Sequence, residues 1–266
     1  MIRRWEFSDL EFKVLCEDVR PGEIPDPFTY TSTIRSAAAL ETATAGVLRD
    51  FRDRYDPDLE DLADALSKPD VAVTAEAWND RDIENPKEWI RVLGLRRRAR
   101  GFVIRQHPGE TVLHSAGFDV VECDPHALAD RVLALLPVTE SGRDTPIPIL
   151  DPAVRNPGGE TAYSSMISDN DDPDDRDSAR SAAFFAIPAS ASGLLRVLQG
   201  RSKFGPRGRV ETAMLWRDVP GDGRYVMPMS SSPVARGMGT EELVVWVDEH
   251  IAEIVDRLER HREDEE

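Results

Sequence analysis

The sequence predicts an α+β protein built around an antiparallel sheet, with the same order of elements in its two halves. Apolar residues recur at helical spacing over residues 8–67, and the period then changes to two in a series of short segments. Each half runs from several strands into one amphipathic helix. The links between these strands suit hairpins and are too short for parallel crossovers, so a doubly wound nucleotide-binding sheet is disfavoured.

The N-terminal region is predicted to be mainly helical. Residues 8–11 read Ser-Asp-Leu-Glu, a capping box that starts a helix, and Arg-Pro-Gly at 20–22 ends it. Residues 28–31 are rich in strand formers, whereas the Ala-rich stretch 36–55 predicts a second helix. Asp56 followed by Pro57 predicts the cap and first position of a third, short helix.

Two series of strands follow, each closed by a helix. The first series comprises the predicted strands 71–75, 90–95, 101–106, 111–115 and 118–122, and a helix through Leu136 follows it. The second comprises a short helix at 178–185, the strands 194–199, 210–216 and 224–227, and a long helix from Thr240. The similar segments Ile-Arg-Val-Leu at 90–93 and Leu-Arg-Val-Leu at 195–198 favour an internal two-fold repeat.

The chain is predicted to form one composite domain over residues 1–266. Its parts are an N-terminal half, an acidic connection rich in Pro, Gly and Asp, a C-terminal half and a charged tail: 1–137, 138–177, 178–262 and 263–266. The Asp run at 169–175 lacks the Gly and Glu positions of an EF-hand loop, so we interpret it as a solvated linker.

Composition excludes several classes of function. A formal charge of -17 repels nucleic acid and anionic membranes at long range. Two cysteines, Cys16 and Cys123, are too few for a disulfide framework and fit a reducing, cytoplasmic compartment. No signal peptide and no transmembrane stretch is visible, so no membrane insertion is expected.

Motifs for catalysis or cofactors are weak. The five histidines lack zinc-ligand spacing, no Gly-x-Ser-x-Gly elbow occurs, and the Gly-rich segment 200–208 departs from a phosphate loop. The Arg-rich turn at 96–100 is typical of a solvated hairpin. We therefore predict no catalytic residue, no metal and no cofactor; an enzyme using dispersed carboxylates with His107 or His114 is the least favoured alternative.

Aromatic and Met residues concentrate in the last quarter of the chain. Adaptable Met beside rigid Trp and Tyr is typical of a surface that receives another chain, although core packing explains these residues equally well. They are Trp216, Tyr225, Met227, Met229 and Trp246.

Several segments, taken in order, resemble the EspG-like family of ESX (type VII) secretion-associated proteins of actinobacteria. They extend from residue 5 to residue 226, and the last helix follows them. The stretches are Trp-Glu-Phe-Ser-Asp-Leu-Glu-Phe at 5–12, Pro-Asp-Val at 69–71, Pro-Gly-Glu at 108–110, His-Ser-Ala-Gly-Phe at 114–118, Glu-Cys-Asp-Pro at 122–125, Gln-Gly-Arg-Ser at 199–202, Phe-Gly-Pro-Arg-Gly at 204–208, Trp-Arg-Asp at 216–218 and Asp-Gly-Arg-Tyr-Val at 222–226.

This resemblance implies a central antiparallel sheet flanked by two helical bundles with quasi-two-fold symmetry. It also implies a cytosolic, non-catalytic chaperone that binds the helical tip of PPE proteins in PE-PPE heterodimers, expected as a 1:1:1 complex, and keeps them soluble and competent for secretion. Weak self-association is a further expectation. A tip with exposed apolar residues aggregates unless it is covered, so covering it is sufficient for a chaperone.

The contacts of such relatives lie on the sheet and the C-terminal helical bundle, which leads to a prediction for this chain. We expect the contact surface on the strand and helix after Gly193, with apolar contacts from Trp216, Tyr225, Met227 and Trp246 and the basic loop around Arg207 as a mobile rim. The acidic residues near the last helix differ from the more basic pattern expected of relatives, which leaves the partner open. The alternative is an adaptor or regulatory module for another helical partner.

Overall fold

The structure, a computed structural model, describes residues 3–19, 24–53, 56–144, 146–150, 173–202, 205–229 and 233–263. Within those residues the helices are α1 Asp9–Val19, α2 Ala37–Asp53, α3 Pro57–Ser67, α4 Leu128–Leu133, α5 Pro173–Ala186 and α6 Thr240–Glu263. The strands are β1 Arg4–Phe7, β2 Val71–Trp78, β3 Ile90–Arg97, β4 Arg100–Pro108, β5 Ser115–Cys123, β6 Ile147–Pro148, β7 Ala191–Gln199, β8 Glu211–Val219, β9 Gly223–Pro228 and β10 Val234–Gly237.

All ten described strands form one antiparallel sheet in the order β1-β5-β4-β3-β2-β7-β8-β9-β10-β6. Two meanders, β2 to β5 and β7 to β10, run outward from the central antiparallel pair of β2 with β7. Helices precede and follow each meander, which confirms the predicted α+β class and its quasi-two-fold repeat. The repeat relates β2 to β7, so the short match between segments 90–93 and 195–198 does not mark equivalent strands.

Helices pack on both faces of the sheet and form three apolar clusters. On one face α4 and α6 cover the centre of the sheet. On the other face, α1 and α3 pack on β3, β4 and β5, and Phe7 of β1 belongs to the same cluster. A smaller cluster on this face contains Phe184 of α5 and residues of β9 and β10. The two clusters on this second face lie over opposite ends of the sheet.

The sequence signals for the helix starts are confirmed. Ser8 and Glu11 form the predicted reciprocal cap, with Glu11 N–H to Ser8 Oγ at 3.2 Å and Ser8 N–H to Glu11 Oε2 at 2.8 Å. The carboxylate of Asp56 accepts the backbone N–H of Asp58 at 2.9 Å. These caps fix where the helices begin, because they satisfy N–H groups that have no partner inside the helix.

Some local predictions differ from the structure. The predicted strand 111–115 is a turn, in which Thr111 Oγ1 accepts the N–H of Leu113 and the Thr111 carbonyl accepts the N–H of His114. Residues 28–31 contain no strand. The short strands β1 and β10 were not predicted from the sequence, since each has only four residues and depends on its neighbour for pairing.

Part of the acidic connection packs against the C-terminal meander. Arg224 donates its backbone N–H to the Glu140 carbonyl at 2.8 Å, and its fully buried guanidinium pairs with Asp218 at 2.7 Å. Nearby, the Tyr225 hydroxyl accepts the N–H of Asp144 at 2.8 Å. Residues 151–172 of the connection, with much of the Asp run, and residues 264–266 of the tail lie outside the described residues.

Candidate binding groove on the sheet

The centre of the sheet has one sealed face. Alternate residues of β2 and β7 point toward α4 and α6 and are fully buried there, among them Val73, Ala75, Leu195 and Val197. Their partners on the helices are apolar residues of α4 and α6 such as Leu128, Val132, Leu243 and Val247. This face stabilises the fold through apolar burial.

The opposite face of the same central strands is not covered by a helix over its full width. We call this region the central groove, and its floor consists of alternate residues that pair across β2, β7 and β8: Thr74, Glu76, Leu194, Arg196, Leu198, Ala213 and Leu215. Because side chains alternate along a strand, these residues are the neighbours of the buried set and belong to the other face. The groove separates the α1–α3 cluster from the α5 cluster.

One end of the groove deepens into a cavity of about 750 Å³. Its wall is mixed, because polar and charged side chains such as Asp26, Arg196 and Glu211 stand beside the apolar ones. A concave cavity in which polar groups converge among apolar side chains is typical of a binding site. The apolar lining residues are Ile24, Pro25, Leu66, Pro69, Ala72, Leu93, Leu95, Leu198 and Val210.

The other end of the groove is aromatic and charged. The rings of Trp78 and Trp89 lie 5.4 Å apart, and the Arg91 guanidinium lies 4.4 Å from the centre of the Trp89 ring. Arg217, on the same face of β8, pairs with Asp80 at 3.1 Å. Two indole rings beside guanidinium groups combine apolar contact area with hydrogen-bond donors.

Burial affects the charge of Glu76 on the groove floor. Burial raises the pKa of Glu76 above its usual value, against the lowering effect of Arg91. Arg196 spans the floor between Glu211, at 2.7 Å, and Asp26, at 3.6 Å. The floor therefore holds charged groups that are partly withdrawn from water, where a charge on a bound chain has a stronger effect than at an exposed surface.

Exposed apolar side chains lie along the groove on the α5 side. Leu215 is 39% exposed, Met229 is 64% exposed, and Phe185 and Ile187 at the end of α5 are 47% and 46% exposed. The Arg217 side chain ties this group together, because it donates to the carbonyl of Ile187 at 2.9 Å and lies 5.0 Å from the Phe185 ring. Water contact with so much apolar surface is unfavourable and is relieved when another chain covers it.

Three of the five predicted contact residues belong to the core. Trp216 faces α4 and α6, is fully buried and lies against Gly193, where an added Cβ would come within 2.3 Å of the indole. Tyr225 and Met227 are on the groove face but are buried under α5. Tyr225 donates to Asp222 at 2.5 Å, and burial raises the pKa of Tyr225 to about 12. Their packing leaves no surface through which a partner could contact them directly.

The other two predicted residues are more accessible but far apart in the fold. Trp246 is half-buried on α6, behind the sheet, and its ring lies 4.1 Å from that of His250. Arg207 is exposed in the β7–β8 loop, whose residues Gly200, Arg209 and Val210 line the groove cavity. The structure thus places Arg207 beside the groove, and it does not bring the five residues into one surface.

Sequence reasoning pointed to the strand after Gly193 but did not single out the residues of the groove floor. Leu194, Leu198 and Leu215 read as ordinary strand residues, and Glu76 and Arg196 as isolated charges within strands. The available signal was the alternation itself, since charged residues inside a central strand mark a face that the core does not cover. Which helices would leave that face open is a property of the tertiary fold.

The histidines and cysteines considered for chemistry are paired or buried within the fold. His107 pairs with Asp119 at 2.9 Å, and the ring of His114 contacts the Thr111 hydroxyl at 2.8 Å. Burial raises the pKa of Cys16 to about 12 and that of Cys123 to about 11, which keeps both thiols protonated at neutral pH. Across the described ranges, no three His, Cys, Asp or Glu side chains form a metal-binding group, and no described helix is long and apolar enough to cross a membrane.

The fold and the groove define an α+β protein with a preformed groove over the uncovered centre of its sheet. A sequence model of the EspG family matches residues 8–240, and the chain belongs to that family. Among curated proteins, none matches the sequence.

A solved structure of similar fold is that of the Mycobacterium tuberculosis type VII secretion system chaperone EspG5, in complex with a PE25-PPE41 dimer. The alignment covers 96% of this chain and 96% of that one, with a TM-score of 0.56 and 12% sequence identity. At this identity the likeness is one of fold.

Proposed function

We propose that this protein is a non-catalytic, cytoplasmic chaperone of a type VII secretion system, which binds a PE-PPE heterodimer as a 1:1:1 complex. The observation that carries the proposal is the open central groove, because it is preformed, deepens into a cavity at one end and is bordered by exposed apolar side chains. Membership of the EspG family, and the likeness in fold to a chaperone solved with a PE-PPE dimer, support this choice of partner.

The groove is the proposed binding site for the helical tip of the PPE protein. An amphipathic helical segment binds by laying its apolar face in a groove. Here Leu215 on the floor and Met229, Phe185 and Ile187 at its border offer exposed apolar contact area. Arg207 contributes from the β7–β8 loop. Covering the tip keeps the PPE protein soluble until it is secreted.

The predicted contacts Trp216, Tyr225 and Met227 act indirectly in this proposal. Trp216 packs on the sealed face behind the groove floor, and Tyr225 and Met227 pack under α5 beside it. Trp246 remains a proposed contact only for a partner that also reaches α6. Substitutions in the groove therefore weaken binding if the tip lies there, whereas substitutions on α6 weaken it only if the partner reaches that helix.

Co-expression tests the function. The chain is expressed with each PE-PPE pair of the same genome, captured by a tag on the chain, and analysed by size exclusion with mass detection. We expect one pair to form a soluble 1:1:1 complex whose PPE member precipitates without this chain. If the folded, monodisperse chain captures none of the pairs, the PE-PPE function is wrong and an adaptor for another helical partner replaces it.

A further inference from the structure

A buried charge at the aromatic end of the central groove, Arg91, contacts the Trp89 ring and faces Glu76 but lacks a hydrogen-bond acceptor among the described residues. Arg91 is only 8% exposed, yet its guanidinium forms no hydrogen bond or ion pair with any described residue. Its Nε atom is enclosed and lacks an acceptor. Buried charges in folded proteins are normally paired, because withdrawing a charge from water without compensation costs several kcal/mol.

Arg91 lies on the groove face of the sheet. It precedes Leu93 and Leu95 at alternate positions of β3, and both leucines line the groove cavity. Its neighbour across the β2–β3 pair is Glu76, but the two side chains form no ion pair. Burial lowers the pKa of Arg91, which agrees with a charge held away from water.

The other guanidinium groups on this face are satisfied. Arg196 is held by Glu211 and Asp26, and Arg217 by Asp80 and the carbonyls of Phe184 and Ile187. The Ser192 hydroxyl is a second enclosed polar atom without a partner. Ser192 pairs with Trp78, two residues along β2 from Glu76, which is the residue opposite Arg91. Two enclosed polar atoms that lack a hydrogen-bond partner among the described residues therefore lie at the aromatic end of the groove.

We propose that Arg91 binds an acidic side chain on the docked segment, and that this ion pair selects the partner together with an apolar side chain in the groove cavity. The inference rests on the proposed function, since it specifies the chemistry of the helical tip. A guanidinium binds a carboxylate through two parallel hydrogen bonds, which adds geometric specificity to the charge. The chain carries a net charge of -17, so acidic partners are repelled at long range and accepted only where they meet Arg91.

The spacing of the two features predicts the spacing on the partner. Arg91 and Leu95 are four residues apart on β3, about 13 Å at the rise of a strand. A helix covers about 13 Å in about nine residues. The preferred tip therefore presents an Asp or Glu and a large apolar residue at about that separation.

The test compares Arg91→Met with Arg105→Met. Met keeps an unbranched stem against the Trp89 ring. Because the substitution also removes the positive charge that lowers the pKa of Glu76, a thermal unfolding measurement checks that the variant still folds. Arg105 is exposed on β4 and is directly opposite Val92, which belongs to the sealed face, so its substitution removes the same charge away from the groove. With the captured PE-PPE pair, we expect Arg91→Met to bind at least tenfold more weakly while it still unfolds in one cooperative thermal transition, and Arg105→Met to bind within twofold of the unchanged protein.

A second arm identifies the acid. Each acidic residue of the PPE tip is neutralised in turn, and binding is measured to the unchanged chain and to Arg91→Met. One neutralisation should weaken binding to the unchanged chain and have no further effect with Arg91→Met. Tight binding by Arg91→Met, or the lack of any coupled acid, overturns the inference and leaves the chaperone function standing. Failure of the unchanged chain to bind any pair overturns the function itself.

Discussion

The two faces of the central β2–β7 pair serve different purposes although they alternate along the same strands. On the sealed face, Val73 and Leu195 are fully enclosed by α4 and α6. One residue further along, Thr74 and Arg196 belong to the groove, where charges and exposed apolar side chains replace the uniform apolar core. A single strand thus contributes every second residue to stability and the residues between them to a surface for another chain.

On β8 the neighbouring residues Trp216 and Leu215 lie on opposite faces of the sheet. Trp216→Ala removes a fully buried indole and should lower the free energy of unfolding by about 3–5 kcal/mol. Leu215→Ala removes a side chain that is 39% exposed and should cost less than about 1 kcal/mol. Equilibrium unfolding in denaturant measures both, and equal losses would contradict the assignment of the two faces.

A smaller effect is expected for Glu76 on the groove floor. Since burial raises its pKa in the folded chain, the folded state binds the proton more tightly than the unfolded state. The resulting stability is fully present below the ordinary pKa of about 4.5 and is lost as the pH rises through the raised value. Glu76→Gln should remove this pH dependence and make the protein slightly more stable at pH 7.

Unfolding measured at several pH values between 4 and 7 checks this prediction, with Glu84→Gln as the control because Glu84 is exposed near the same end of the sheet. The control should leave the pH dependence near that of the unchanged chain. If Glu76→Gln instead destabilises the protein at pH 7, the Glu76 carboxylate forms a stabilising ion pair that outweighs the cost of its burial.

Much of the fold could be predicted from the sequence because its signals are local. The capping box at Ser8, the Asp56–Pro57 start of α3 and the period-two alternation of β2 act over a few residues, and each was confirmed. The turn at 111–114 was mistaken for a strand, because the Thr111 hydroxyl and backbone interactions that form it compete with β pairing and leave no mark on hydrophobic periodicity.

The candidate site was harder to predict because the groove exists only where the helices on that face leave the centre of the sheet uncovered. Aromatic composition directed attention to Trp216 and Tyr225, which pack in the core. The groove is defined by the gap between the α1–α3 cluster and the α5 cluster, and that gap is a result of packing over the whole sheet. Arg91 could not be singled out from the sequence either. A charge within a strand is visible in the sequence, but only the fold reveals that the Arg91 Nε atom is enclosed without a hydrogen-bond acceptor.

The most direct test of the account compares one acidic substitution on each face. Leu215→Asp places a charge on the groove floor, and Val245→Asp places the same charge on the outer side of α6, where Val245 is 57% exposed next to Trp246. Binding to the captured PE-PPE pair should fall at least tenfold for Leu215→Asp, about 1.4 kcal/mol or more, and stay within twofold for Val245→Asp. Loss of binding with Val245→Asp and full binding with Leu215→Asp would contradict the groove and assign the interface to α6.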